Sequence, residues 1–314
     1  MYEPIKMIPA YRHGDATPWG GTGLRAFGKQ IPDERTGESL EISVLPGLES
    51  RDENGRTLSS WLEIGGEKMR GTAVPMTFPL LLKFISAADK LSVQVHPDDA
   101  YANAHEGGKL GKTEAWIILS AEEDAEIVYG VRPGVTRAKL RAACNGEEDI
   151  ATCLNTVKVH PGEVYYIPAG MLHALGGGIS VAEIQQSSDV TYRFYDWGRV
   201  DANGKGRELH IEKGLDVIRP ELRLEAMQGK TEKVEGGTVT TYIDESAFSL
   251  RLVETDGQIT LMPDATRFRL LSALGDGKLT WENGAMLLKK GDSVFVPADA
   301  PEIKMTGTLL LMAP

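Results

Sequence analysis

Two histidines, a glutamate and a glutamine are the residues of this chain whose types and spacing suit metal chemistry. His96 closes the β-like run Leu91–Pro97 (LSVQVHP), and Gln94 stands two residues before it. Side chains two apart on a strand share a face, so the amide and the imidazole point the same way. Glu114 heads the next apolar run, in Gly111–Leu119 (GKTEAWIIL). His173 closes Gly162–His173 (GEVYYIPAGMLH). There a glycine turn opens a short strand, Pro168 ends the ladder for want of an N–H, and Gly170 lets the backbone fold back and carry His173 inward. Two imidazoles, one carboxylate and an amide oxygen as a weaker fourth donor form a hard-to-borderline set. It suits zinc with one position open to water or substrate. No cysteine lies near, which argues against a closed structural zinc site. Either histidine alone would read as an ordinary core or loop residue; the four together favour a site. His13, His105, His160 and His210 lack such context.

The elements that must position these groups are short. Leu40–Leu45, Pro79–Phe84, Leu91–His96, Ala115–Leu119, Ile127–Tyr129, Val164–Ile167 and Val181–Gln185 are β-like runs broken by Gly, Pro and Asp. That rhythm predicts a sandwich or barrel rather than a βαβ sheet. Thr136–Asn155 differs, with Leu140, Ala143, Ile150, Cys153 and Leu154 at near-helical spacing around Gly146. A pair of small helices is expected there, after Pro133, and Asp98–His105 predicts a further helical turn. A charged connection near 218–236 separates a last β-like stretch from Thr238 onward. The pattern G-x5-P-x-G-x2-H, with an upstream strand bearing His and then a carboxylate, resembles the paired motifs of the cupin β-barrel. Gly291–Pro297 (GDSVFVP) repeats Gly162–Pro168 with the same glycine-to-proline spacing, but Glu302 stands where the first copy has His173, and Asp299 where it has Gly170. The expectation is therefore a mainly β protein of two cupin-type jelly-roll barrels. A small helical insertion (about 134–155) sits in the first. Residues 1–220 form the metal-binding domain, and 236–314 a cupin-like domain without a metal site.

The bulk composition narrows the function classes. At 314 residues the chain is long enough for two cores, and 41% hydrophobic with 25% charged residues is ordinary for a globular protein. With 34 basic and 45 acidic side chains the formal net charge is −11, which disfavours nucleic acid or an anionic membrane as partner. A phosphorylated small molecule stays compatible, since one local cluster of Lys and Arg is enough. The N-terminal stretch has no apolar signal-like region and no run approaches a membrane span. Only Cys144 and Cys153 occur, so a disulfide framework is not expected, and the reading is a cytoplasmic protein with reduced thiols.

Taken together, LLLKFISAADKLSVQVHPDDAYA, GKTEAWIIL, YIPAGMLHALGGG and EIQQSSDVTYRFYDWGR closely resemble the type I mannose-6-phosphate isomerases in their short bacterial form. The likeness runs from about Pro9 to His210 and more loosely through the C-terminal part. It implies interconversion of mannose 6-phosphate and fructose 6-phosphate with one bound zinc ion. It also places Gln94, His96, Glu114 and His173 on the family's zinc positions, Arg193 on its active-site arginine, and Lys83 and Lys112 on pocket lysines. The longer members carry a larger helical insertion that this chain lacks, so phosphate contacts from that insertion do not transfer.

The residue chemistry suits aldose–ketose isomerisation, which moves a proton between C1 and C2 through an enediol(ate). It needs a base, a polariser for the oxyanion and cations for the phosphate. Arg193 can hold an oxyanion or phosphate in a bidentate fork; its plainer reading is a surface arginine paired with Asp189 or Asp196. Lys112 lies two residues before Glu114 and shares its face; beside a dication it would be pushed toward neutrality, permitting acid or base work. Lys83 is a lone cation in an apolar run, either a substrate contact or a side chain that snorkels at an edge. Glu183 and Gln185 are candidates to line the cavity, Glu183 as a substrate-binding group; the sequence names no base. Two rival functions follow from the same residues. One is a cupin oxygenase, because two His and a carboxylate also hold ferrous iron. The other is a non-catalytic sugar-binding bicupin, which would have dispensed with the ligands.

Overall fold

The computed structural model describes residues 1–201 and 203–314. The alternating runs become antiparallel strands arranged in four sheets, two in each half of the molecule. In the N-terminal half a six-stranded sheet runs in the order Ala10–His13, Thr36–Ile42, Leu80–Ala87, Ile179–Gln186, Glu114–Ala121 and Val164–Ile167. Facing it is a five-stranded sheet of Tyr192–Tyr195, Val93–Val95, His173–Ala174, Glu126–Val131 and Leu154–Lys158. Between them lies a core of Ile85, Trp116, Ile118, Tyr129, Tyr165 and Val181. The C-terminal half repeats this plan with a seven-stranded and a four-stranded sheet around Val253, Leu271, Leu279, Val294, Ile303 and Leu309. The protein is mainly β and cupin-like, as the motif spacing implies.

The two halves share a core. One face of the six-stranded sheet presents Leu82, Phe84, Ile117 and Ile184 to Leu250, Phe268, Phe295 and Met312 of the other half. Each such side chain contributes roughly 1.5–3 kcal/mol on burial, so the halves are fused rather than tethered. The N-terminal strand Ile5–Met7 strengthens this by pairing with the strand Ser293–Val296. Lys29 does the same with polar atoms. Its buried ammonium lies 2.7 Å from Glu41 Oε2 and donates to the Gly291 carbonyl at 2.5 Å.

Helix is confined to short pieces. Thr136 caps the helix Arg137–Cys144 by accepting from the Lys139 amide, and Leu140 and Ala143 are its buried face. The second helix expected there is only a 3₁₀ turn, Ile150–Thr152, capped by Asp149, because Leu154 already begins a strand. Together with the helix Ile211–Val217 this insertion covers the outer face of the five-stranded sheet, packing Leu140, Ile150 and Leu215 on Val93, Val95, Tyr192 and Phe194. Asp98 caps the helix Asp99–His105 as expected. The helix Leu58–Gly65, capped by Thr57, was not anticipated, although Leu58, Trp61 and Leu62 carry the i, i+3, i+4 spacing.

Candidate active site

Cross-strand register brings the distant motifs together. On the five-stranded sheet His173 lies opposite Gln94, and Gln94 lies opposite Arg193, forming a row of interior-facing side chains. On the six-stranded sheet Glu183 lies between Lys83 and Trp116, and Gln185 is opposite Glu114. Because successive pairs on one sheet face share a side, these two rows look at each other across the N-terminal sandwich.

His96, Glu114 and His173 are fully buried, with one donor atom each lying within 4.8 Å of the others. Their surroundings prepare them as ligands. His96 Nδ1 is 2.9 Å from the Val190 carbonyl and His173 Nδ1 is 2.9 Å from the Met171 carbonyl. A carbonyl only accepts, so each Nδ1 carries the proton and each Nε2 turns its lone pair into the cluster. Glu114 Oε1 lies 3.1 Å from His173 Nε2, a contact that then carries no hydrogen, and this buried oxygen has no hydrogen-bond partner among the described residues. Gln94 Nε2 is 3.4 Å from the same His173 nitrogen. A half-turn of that amide would present its oxygen instead. Lone pairs converging on an orphaned carboxylate oxygen fit a divalent cation, and the donor set fits zinc.

The electrostatics agree. Burial, aided by Lys112, holds His96 well below the usual imidazole range, in the neutral form that binds metal. Burial alone would raise Glu114, but the Lys112 ammonium outweighs it and holds the carboxyl well below its usual range. Lys112 Nζ donates to Glu114 Oε2 at 2.5 Å and stands 3.0 Å from His96 Nε2, so a cation already lies at the edge of the cluster. Burial pushes Lys112 down, yet Glu114 and Glu183 push it further up. Among these side chains alone it is an ammonium; a bound dication would push it the opposite way.

A cavity of about 120 Å³ opens beside the cluster. Gln94 and Lys112 line it on the metal side, and Lys83, Glu183 and Trp116 line it on the six-stranded sheet. Glu183 Oε2 accepts from Trp116 Nε1 at 2.8 Å, while its Oε1 is 3.2 Å from Lys83 Nζ. Lys83 is therefore held inside the sandwich and does not snorkel at an edge. At the rim Arg12, Arg193 and Arg207 add three guanidinium groups. Arg207 is bound to Asp196 through Nε at 2.7 Å and a second nitrogen at 2.5 Å. Arg193 has no carboxylate within ion-pair distance among the described residues. It donates to Ser92 Oγ at 3.2 Å and to the Glu208 carbonyl at 2.8 Å. The plain reading of Arg193 as a partner of Asp189 or Asp196 does not hold, since those acids pair with Lys109 and with Arg199 and Arg207.

Sequence reasoning missed Glu38. It lines the cavity 3.7 Å from Lys83 and 3.4 Å from Arg12, and burial that would raise its carboxyl is overcome by Lys83, Arg12 and Lys112, which lower it. An acidic residue in the middle of an otherwise strand-like run, TGESLEI, was the available signal. Gln185, expected to line the cavity, instead turns its amide onto the adjoining turn, donating to the carbonyls of Gln186 and Ser188.

Comparison with known proteins extends the geometry over the whole chain. Residues 11–129 match the model of the phosphomannose isomerase type I catalytic domain, and residues 238–313 match that of the mannose-6-phosphate isomerase cupin domain. Mannose-6-phosphate isomerase ManA of Bacillus subtilis is 39% identical over 311 residues, covering 97% of this chain and 96% of that protein. Mannose-6-phosphate isomerase of Streptococcus mutans is 36% identical, covering 94% and 93%. A crystal structure of the Bacillus subtilis mannose 6-phosphate isomerase superposes with a TM-score of 0.91 at 36% identity, over the full length of both chains. Phosphomannose isomerase from Salmonella typhimurium, at 18% identity and a TM-score of 0.77, shares the fold.

Proposed function

The chain belongs to the type I phosphomannose isomerases, and on that premise we propose that it interconverts mannose 6-phosphate and fructose 6-phosphate through an enediol(ate) at a single zinc ion held by His96, Glu114, His173 and Gln94. The observation that carries the metal reading is the pair of fixed Nδ1–H tautomers, which aim two Nε2 lone pairs at an orphaned Glu114 oxygen. No cysteine is required, and the one imidazole–carboxylate–imidazole set found among the described residues supports one ion per chain. When bound, the ion supplies an electrophile for the substrate's carbonyl and hydroxyl oxygens.

The chain's own residues do the rest. Lys112, on the cavity wall, donates a hydrogen bond to the oxygen that carries the negative charge of the enediolate. Arg193, without a carboxylate partner among the described residues and aimed by Ser92 and the Glu208 carbonyl, holds the enediolate or the phosphate in its planar fork. Lys83 and Glu183 form a buried donor–acceptor pair for sugar hydroxyls, with Trp116 fixing Glu183. Bound sugar phosphate would meet Arg12, Arg193 and Arg207 at the rim, where Arg193 is the one of the three without a carboxylate partner among the described residues. In functional terms residues 1–220 are the catalytic domain and 236–314 a supporting domain. The two free thiols, Cys144 and Cys153, fit a cytoplasmic setting.

The test is an assay of purified protein with mannose 6-phosphate, mannose and glucose 6-phosphate, before and after chelation, with metal analysis alongside. We expect isomerisation of mannose 6-phosphate that chelation abolishes and zinc restores. Full activity in metal-free protein would overturn the zinc reading. Oxygen consumption with an iron-loaded chain would favour the oxygenase chemistry that the same three ligands permit.

A further inference from the structure

The turn between the strands Ile179–Gln186 and Tyr192–Tyr195 touches both sides of the metal cluster without contributing a ligand. On one side the Val190 carbonyl accepts from His96 Nδ1 at 2.9 Å. On the other, Gln186 Oε1 accepts from the Thr113 amide at 2.9 Å and the Gln186 amide donates to the Thr113 carbonyl at 3.0 Å, gripping the residue between Lys112 and Glu114. Ser188 Oγ donates to the Leu110 carbonyl at 2.8 Å and accepts from the Val190 amide at 3.3 Å. The orientation of His96 and the position of the Lys112–Glu114 segment are therefore set by one turn.

That turn is pinned from below by Gln185. Its side chain is fully buried, and Nε2 donates to the Gln186 carbonyl at 2.7 Å and to the Ser188 carbonyl at 2.8 Å. Both amide protons are used on the turn. Oε1 is buried and has no partner among the described residues, a cost that a residue chosen for packing alone would avoid. Two donations to carbonyls also fix which end of the amide is nitrogen, so the side chain cannot flip without losing both. Directly across the sheet its backbone partner is Glu114 itself.

We propose that Gln185 is a positioning residue for the metal centre. Its amide clamps the Gln186–Val190 turn so that the Val190 carbonyl keeps the His96 proton on Nδ1 and Thr113 keeps Glu114 in place. This rests on the reading of His96, Glu114 and His173 as metal ligands. A group that directly orients a ligating histidine, as the Val190 carbonyl does, changes metal affinity by about 10–100-fold when lost, and Gln185 acts on that group through the turn. Gln185→Met keeps length and burial and removes both donors.

The experiment measures zinc dissociation by chelator competition, and kcat at saturating zinc, for wild type, Gln185→Met and Ser188→Ala. Circular dichroism and thermal unfolding of the zinc-free proteins monitor the fold. The proposal expects folded Gln185→Met to bind zinc more weakly by up to about tenfold, the lower end of the range for a direct partner. It also expects a lower kcat even when zinc-saturated, because Lys112 and Glu114 shift together. Ser188→Ala should move both quantities in the same direction by less. Zinc affinity and saturated kcat equal to wild type, with only a lower Tm, would reduce Gln185 to a packing residue and overturn the proposal. If Gln185→Met does not fold, Ser188→Ala decides alone, and unchanged zinc affinity there sinks it. Wild-type protein that binds no zinc would instead defeat the metal reading, a distinct result.

Discussion

Gly162 and Gly291 open the same turn in the two halves, both with φ of 92°, and each leads into a four-residue strand that ends at a proline. The backbones correspond; the interiors do not. The N-terminal sandwich buries His96, Lys112, Glu114, His173, Glu183 and Gln185, and it keeps a cavity open beside them. The C-terminal sandwich fills the matching space with Val253, Leu271, Leu279, Val294, Val296 and Met305. Where the first copy turns a fully buried His173 inward, the second has Glu302, which is exposed. A β-sandwich of this kind can be either a site or a support. The choice is made by side chains, since polar groups enter an interior only where something satisfies them. Gly291 also shows what the second half supports. A Cβ there would stand 2.1 Å from the Phe27 carbonyl oxygen, so the turn presses directly on the N-terminal half.

The largest effect that can break this comparison is loss of the ligands. His173→Ala should leave a folded protein with metal content near zero and activity down at least a thousandfold, read by elemental analysis and by isomerase assay. The reciprocal Glu302→His should gain no second ion, because no other histidine follows His210 and the interior behind it is apolar. Two tightly bound ions in that variant would show the second half to be a latent site.

Next in size is Arg193. Alanine there should lower kcat/KM by about a hundredfold or more while zinc content and fold persist, the scale for removing a preorganised charge-stabilising donor. Lysine should restore only part, since it lacks the fork. A loss confined to KM would move Arg193 from the reacting oxygens to the phosphate.

In the C-terminal half the corresponding change should act on stability. Leu271 is fully buried in the C-terminal core, and Leu271→Ala should cost about 2–5 kcal/mol by denaturant unfolding. Yet kcat of the folded fraction should stay within a factor of two. A kcat that falls in step with stability would mean that the second half shapes the cavity through the shared core of Phe84, Phe268 and Phe295.

Much of this contrast could be read from the sequence, for reasons that differ by residue. The strand period of two placed Gln94 on the interior face, and the Pro168–Gly170 signals placed the turn that carries His173 inward. The partners of the ligands were hidden because they are non-local. Nothing near Glu38 announces that Lys83 and Arg12 will close on it from two other strands. The Val190 and Met171 carbonyls that set the histidine tautomers are backbone atoms, and no residue type marks them. The pairing of Ile5–Met7 with the C-terminal sheet is likewise invisible in a three-residue run. Local periodicity specified the strands, while the register between strands specified the site.

The smallest predicted effect is a difference in acid sensitivity between the halves. Glu38 is buried, which raises its carboxyl, but Lys83, Arg12 and Lys112 outweigh burial and hold it below 4.5. A carboxyl with a depressed folded-state pKa contributes stability that is fully present above the unfolded value. That contribution is lost as pH falls through the folded value. The contribution of Glu38 should therefore be complete at neutrality and be lost in acid, as pH falls below the ordinary carboxyl value and through the lower folded one, within the N-terminal half. Glu38→Gln removes the titrating group and leaves Lys83 and Arg12 without that partner. The variant should start with a lower Tm at pH 7, and its Tm should fall less steeply than wild type between pH 5 and 3, by the scale of one carboxyl's linkage. In the C-terminal half Asp276 is also lowered, by its hydrogen bond to Lys289, but that pair is fully exposed and screened. Asp276→Asn should leave the same acid limb unchanged. Parallel Tm–pH curves for wild type and Glu38→Gln would show that the Lys83–Glu38–Arg12 cluster places charge in the cavity without adding to the fold.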